Sequence, residues 1–172
     1  MVQLDISKLK NSPGEVRRLE MDFRLEPVEI ETGLIFFNAS LRLDANLAND
    51  GGVLKLQGFV EGEVSIACGR CLDLFNLPVR ADLEEVYYNQ SQQEVGPGEE
   101  WISFRGDVLD VTPEVVKVII ASLPMKALCR EDCRGLCQGC GANLNHGDCG
   151  CSLDDVDPRM EALKRLLEKD KG

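Results

Sequence analysis

The chemistry in this chain is concentrated in its thiols. Eight cysteines stand in 172 residues, with one histidine. Two form "CGRC", Cys68 and Cys71; the other six crowd into residues 128–151, at Cys129, Cys133, Cys137, Cys140, Cys149 and Cys151. C-x2-C on a tight turn sets two sulfurs on one side of the backbone, as two corners of a tetrahedral metal site require. Glycines in "CGRC" and "CQGCG" let backbone amides turn toward sulfur, and "CGC" can supply an opposing pair. One such pair is a weak signal; three close pairings in one chain are a strong one.

Eight thiolates divide into two sets of four. The spacing predicts one zinc on Cys137, Cys140, Cys149 and Cys151, compact enough to close by itself. Cys129 and Cys133 are then left to meet Cys68 and Cys71, tying the C-terminal region to the upstream pair. His146 is an alternative ligand. An iron–sulfur cluster matches neither standard ferredoxin spacing. A thioredoxin-type pair needs its first cysteine at a helix N-terminus, where the dipole lowers the thiol pKa; the residues after CGRC alternate with period 2, as a strand does. A catalytic zinc needs an open position and commonly His or carboxylate ligands, for which one histidine in a glycine loop is little material. Zinc is therefore expected as a structural ion, one or two per chain. Spare or merely buried cysteines are the plainer alternative.

Several elements must position these thiols. Leu54, Leu56, Val60, Val64 and Ile66 share even numbers with polar residues between them, and Phe75, Leu77, Val79, Ala81 and Leu83 share odd numbers. Both runs read as half-buried strands, so strand, CGRC and strand make one hairpin with the cysteines at its tip. Pro78 argues for an edge position, and Gly58 and Gly62 for a bulge or tight curvature. Upstream, "LIFFNASLRLDANL" before "NDGG" is a further strand-and-turn signal. Residues 15–24 are read as a short helix, 89–100 as a polar loop, and "WISFRGDVLDV" as a strand. "TPEVVKVIIASLP" predicts a helix over 113–123, with Thr112 as N-cap, Pro124 as stop and a core face of Val116, Ile119, Ile120 and Leu123. A last helix is expected from Asp157, with an apolar stripe of Met160, Leu163, Leu166 and Leu167. The fold class is α+β: a curved antiparallel sheet or open barrel, a packed helix and a zinc-stapled C-terminal module. The domains are 1–124 and 125–172.

Charge narrows the function classes. The net is −11, with residues 1–124 carrying 11 Lys+Arg against 21 Asp+Glu and residues 125–172 carrying 8 against 9. Two zincs on eight thiolates would take the chain to about −15. No basic footprint for nonspecific nucleic-acid binding is present. Lys126, Arg130 and Arg134 interleave with the cysteines and are a candidate contact for RNA or phosphate; Arg17 and Arg18 are the other basic pair. Trp101, Phe104, Tyr87 and Tyr88 could stack on bases, but packing explains them more simply. The carboxylates of "LEEVYY" and "SLDDVD" read as a solvated face and a helix start. There is no Walker loop, dinucleotide fingerprint or G-x-S-x-G, and no acid–base pair that would suit a nuclease. Neither a signal-peptide core nor an apolar run of bilayer length is found. The expectation is a cytoplasmic protein, where thiols stay reduced and cysteine frameworks bind metal rather than form disulfides.

The CGRC pair at a hairpin, the segment "IIASLPMKALCREDCRGLCQGCGANLN" and the closing "DPRMEALKRLL" together resemble the YceD family, the large-ribosomal-RNA-subunit accumulation proteins, in the branch with the extended C-terminal cysteine cluster. The resemblance covers nearly the whole chain. It implies a non-catalytic factor that supports accumulation or processing of large-subunit ribosomal RNA. Its partner would be the large-subunit precursor, through RNA or basic ribosomal proteins, with no membrane and no small-molecule substrate. The rival reading of the residues is a zinc–thiol redox sensor or redox-regulated holdase.

Overall fold

Alternating side chains need a sheet with one dry face, and the chain builds one around its two longest strands. The computed structural model describes residues 1–30, 33–90 and 101–151. The strands run β1 (Gln3–Asp5), β2 (Val16–Phe23), β3 (Val28–Ile30), β4 (Gly33–Ile35), β5 (Leu41–Asn49), β6 (Val53–Ala67), β7 (Leu74–Asn89), β8 (Ile102–Phe104) and β9 (Val108–Asp110); a 3-10 turn at Leu9–Asn11 and one helix, α1 (Thr112–Ser122), complete the described elements. Strands β2-β5-β6-β7-β8 form a five-stranded sheet, antiparallel except for the parallel β7–β8 pair, while β1–β9 and β3–β4 are separate two-stranded pieces. Among the described residues the main sheet is open, with β2 and β8 at its edges, and not a closed barrel.

The dry face takes Leu41, Leu43, Ala45 and Leu47 from β5, Leu54, Leu56, Val60, Val64 and Ile66 from β6, and Val79, Ala81, Leu83 and Tyr87 from β7, all buried. Each large aliphatic side chain taken from water contributes about 1.5–3 kcal/mol, so this face dominates the stability of the sheet. At Gly58 the strands press closest: a Cβ there would lie 2.2 Å from the Asp44 carbonyl oxygen and 2.5 Å from the Ala45 Cβ. The outer face is polar, with ion pairs such as Arg80–Glu61 at 2.9 Å and Arg18–Asp44 at 3.3 Å.

Several expectations change. Residues 15–24 are not a helix: β2 pairs with β5 from Val16↔Ala48 to Phe23↔Leu41. Leu19, Met21 and Phe23 alternate with Arg18, Glu20 and Asp22, a period of two that helical propensity does not override. The β signal of residues 34–47 resolves into β4 and β5, and between them the Phe36 backbone pairs with Ser65. "WISFRGDVLDV" likewise breaks into β8 and β9. Pro78 lies opposite Glu63 in a stretch of β7 with no second neighbour among the described residues, whereas residues 87–89 of the same strand are flanked by β8. β7 is thus an edge at its proline and interior at its end.

In α1 the cap residue is Val111, and no side chain of the described residues caps the helix. The Thr112 hydroxyl instead accepts the Val2 amide at 2.7 Å, and the Asp110 carboxylate accepts the Thr112 amide at 2.9 Å. The helix faces the sheet through Val115 and Ile119, both buried; Val116, Ile120 and Leu123 pack at the flank. The polar loop expected at 89–100 lies outside the described residues from position 91, as does the helix expected from Asp157. Among the described residues no helix is long and apolar enough to cross a membrane.

Candidate metal centres

The β6–β7 hairpin closes from Ala67↔Leu74, leaving Cys68, Gly69, Arg70, Cys71, Leu72 and Asp73 as its tip. Cys68 N–H donates to Asp73 O at 2.9 Å, and Leu72 N–H to Cys68 O at 3.0 Å. This turn puts both sulfurs on one side and forces Leu72 to φ 65°, the left-handed region. After α1, Pro124 ends the helix and the chain crosses the tip, where Gly69 N–H donates to Ala127 O at 2.8 Å. Cys129 and Cys133 arrive there on either side of a turn closed by Cys133 N–H donating to Arg130 O at 3.2 Å.

The sulfurs of Cys68, Cys71, Cys129 and Cys133 all lie within 4.8 Å of one another. Cys68 and Cys133 Sγ are 3.8 Å apart, and Cys71 and Cys129 Sγ are 3.7 Å apart. A tetrahedron with metal–sulfur bonds of about 2.3 Å has edges of about 3.8 Å, so the spacing suits a four-thiolate ion. Three of the four are buried, Cys68 at 0% exposed and Cys71 and Cys133 at 3%, while Cys129 is half-buried. Phe75, Leu128 and Leu136 pack against it.

The second set is Cys137, Cys140, Cys149 and Cys151, also within 4.8 Å of one another. It is a self-contained knuckle. Cys137 N–H donates to Ala142 O and Gly141 N–H to Cys137 O, both at 2.8 Å, and Leu136 pairs with Asn143. Cys137 is buried, whereas Cys140, Cys149 and Cys151 are exposed. The eight sulfurs thus gather in the two fours into which their spacing divides them. His146 stands apart, exposed, with Nε2 3.7 Å from Asp73 Oδ2.

The electrostatics within each set are uneven. Burial raises the Cys68 thiol, but the amides of Cys129, Cys71 and Arg70 turned toward its sulfur prevail and lower it to about 6. The Cys140 amide, the Cys149 side chain and the Gly139 amide lower Cys137 to about 6. At Cys71 the Asp73 amide favours the thiolate, but burial and the neighbouring sulfurs outweigh it and push the thiol up to about 12. The Cys140, Cys149 and Cys137 side chains push Cys151 up to about 12. Four thiols this close cannot all ionise unaided, because each new charge opposes the next. A bound dication reverses that sign, and an all-sulfur set with no carboxylate or water ligand is the donor set of a closed, structural ion.

Around the first set lies a polar bracket that the cysteine spacing does not reveal. Asn145 donates from Nδ2 to Cys133 Sγ at 3.3 Å and accepts at Oδ1 from Arg130 Nη2 at 2.8 Å and from the Arg134 amide at 2.9 Å. Its side chain holds the Cys133 thiol below its ordinary value, ahead of an opposing push from burial. Asn143 Nδ2 donates to Asp73 Oδ2 at 2.6 Å, and Arg70 Nη1 to Cys133 O at 2.8 Å. The signal available was the asparagine pair in "GANLN" after a glycine turn, since short amide side chains there habitually bond local backbone.

The basic candidates are partly spoken for. Arg134 Nη2 sits 2.5 Å from Asp148 and Arg130 Nε 3.5 Å from Asp132, while Lys126 is exposed beyond the helix end. Tyr87 and Phe104 are buried in the core rather than presented for stacking.

Comparison with known proteins gives a family match whose span includes both cysteine sets. The family described as large ribosomal RNA subunit accumulation protein YceD matches residues 56–167. An uncharacterised protein of Mycobacterium leprae is 27% identical over 172 residues, covering 98% of this chain and 79% of its own length. An uncharacterised protein of Mycobacterium tuberculosis is 28% identical over 169 residues, covering 95% and 80%. A chloroplastic large ribosomal RNA subunit accumulation protein homologue of Arabidopsis thaliana is 27% identical over 145 residues, covering 67% of this chain and 45% of that one. No solved structure matches.

Proposed function

The chain belongs to the YceD family of large ribosomal RNA subunit accumulation proteins, and from that premise we propose that it is a non-catalytic ribosome-assembly factor. It acts in the cytoplasm on precursors of the large subunit and supports accumulation or processing of their RNA. In this reading each cysteine set holds one structural zinc, and the zincs fix the shape of a docking module rather than activate water. The observation that carries it is the family match, which begins in β6 and takes in both cysteine sets. Two all-thiolate sets leave no open position for substrate, in keeping with a factor that binds rather than reacts. A net charge of −11 suits contact with basic ribosomal proteins at least as well as contact with bare RNA. Lys126, with what Arg130 and Arg134 retain beyond their local ion pairs, would supply at most a small phosphate contact.

Depletion of the protein in its native cell should lower large-subunit ribosomal RNA relative to small-subunit RNA, and the protein should co-sediment with large-subunit precursors. An unchanged RNA ratio, with the protein remaining at the top of the gradient, would sink the proposal.

The 3.7–3.8 Å sulfur pairs of the first set favour one second reading. Peroxide could take two electrons from a thiolate pair, forming a disulfide and water and releasing the ion. Peroxide-triggered aggregation suppression without ribosomal association would select that redox role.

A further inference from the structure

The loop between Cys140 and Cys149 serves both cysteine sets. Residues 141–148 are closed at each end by a member of the knuckle, yet their side chains reach the first set. Asn145 Nδ2 donates to Cys133 Sγ at 3.3 Å. Among the described residues no other nitrogen-bearing side chain donates to a sulfur of that set; Cys68 receives backbone amides instead, from Arg70 and Cys129, both at 3.4 Å. The Asn145 Oδ1 accepts from the Arg134 amide at 2.9 Å and from Arg130 Nη2 at 2.8 Å. Two donors on the oxygen leave the nitrogen for sulfur, so the orientation of the side-chain amide is fixed. The loop is also anchored around the set, through Leu144 N–H to Gly135 O at 2.9 Å and Asn143 Nδ2 to Asp73 Oδ2 at 2.6 Å. The knuckle is the accessible partner: Cys140, Cys149 and Cys151 are exposed, whereas Cys68, Cys71 and Cys133 are buried.

We propose that the two sets are coupled metal sites with Asn145 as the positioning residue between them, so that an ion on the knuckle raises the affinity of the first set for its own ion. The coupling rests on the reading that each set holds a metal. Its cause is conformational freedom. With the knuckle empty, placing Asn145 on Cys133 must order the whole loop, and that ordering opposes the contact. An ion held by Cys140 and Cys149 closes the loop at both ends and removes that freedom once. The first set then gains a hydrogen bond to a charged sulfur, one of the stronger kinds, against a smaller opposing term. Coupling of this sort is reciprocal, so the first ion tightens the second by the same factor. The exposed set thereby governs the buried one. Stripping the knuckle of its ion loosens the set at the hairpin tip without any reagent reaching it.

The test is zinc titration of the reduced, metal-free full chain against a chromophoric chelator. Cys149→Ser/Cys151→Ser leaves the first set to bind alone, and Cys68→Ser/Cys71→Ser leaves the knuckle to bind alone. The product of the two wild-type binding constants should exceed the product of these single-set constants by about tenfold. In an Asn145→Ala background the same comparison should give a ratio of about one, while the knuckle measured alone keeps its affinity. A ratio of about one in the wild-type background, or a tenfold ratio that survives Asn145→Ala, would overturn the proposal and leave both metal sites standing. A chain that takes up no zinc would overturn the metal reading itself, and the coupling with it.

Discussion

Among single residues, Glu114 is the one most out of place. It is 9% exposed on the sheet-facing side of α1, and its Oε2 has no hydrogen-bond partner among the described residues; nor does the buried Tyr87 hydroxyl. Burial first, with the nearby Glu85 and Asp110 carboxylates, outweighs the opposing pull of its own amide and of the neighbouring Tyr87 hydroxyl and raises its pKa above the ordinary value of 4.5. A folded-state pKa above the unfolded one means that protonation favours the fold. The contribution is fully present below about 4.5 and is lost as pH rises through the folded value. Glu114→Gln keeps shape and hydrogen-bonding capacity without the charge. It should therefore be more stable than wild type at pH 7–8, by about 1 kcal/mol, and equal to it near pH 3.5. Urea unfolding at the two pH values checks this, and a destabilised variant at pH 7–8 would show that the carboxylate is instead held by a partner. Nothing in the local sequence hints at such a residue: glutamate in the first helical turn is the ordinary choice for the helix dipole, and only the packing of α1 on the sheet buries it.

At the scale of elements, the hairpin tip and the loop after α1 meet at the first sulfur set and are bracketed by Asn145, Asn143 and Arg70. Cys68→Ser/Cys71→Ser should lower zinc from two ions per chain to one by elemental analysis. It should leave the knuckle of Cys137, Cys140, Cys149 and Cys151 loaded, since that set draws on no residue before Cys137. One zinc in both proteins would separate Cys68 and Cys71 from any metal role. Much of this element was legible beforehand. Even-numbered apolars in β6 and odd-numbered ones in β7 announce both strands and place CGRC between them. What stayed hidden was non-local: that Val16–Phe23 would prefer pairing with β5 to coiling, and that Thr112 would spend its hydroxyl on Val2. Those outcomes depend on partners far along the chain, which periodicity does not see.

For the molecule as a whole, an apolar sheet face and two thiol sets are different sources of stability. The sheet buries its own aliphatic core; the described residues after Pro124 bury little apolar surface beyond the half-buried Leu128 and Leu136 and the sulfurs themselves. Chelation at pH 7 should accordingly uncouple them. Far-UV circular dichroism should keep its strand signal, while proteolysis cuts within 125–151 become rapid. Loss of both together would mean that the sheet also depends on the metal.

The two sulfur sets also differ in when they can exist. The knuckle closes within fifteen residues, 137–151, whereas the first set joins Cys68 to Cys133 across 65 positions. Each doubling of a closed loop costs only about 0.6 kcal/mol, so the thermodynamic handicap is small. The kinetic one is larger, because the first set has no geometry until β6 and β7 have paired and α1 has been made and turned back. During synthesis the knuckle can therefore be completed last in sequence yet fastest in time. If the first set holds a metal as proposed, its occupancy would serve as a timestamp, marking the moment when the hairpin and the helix of a newly made chain have found each other.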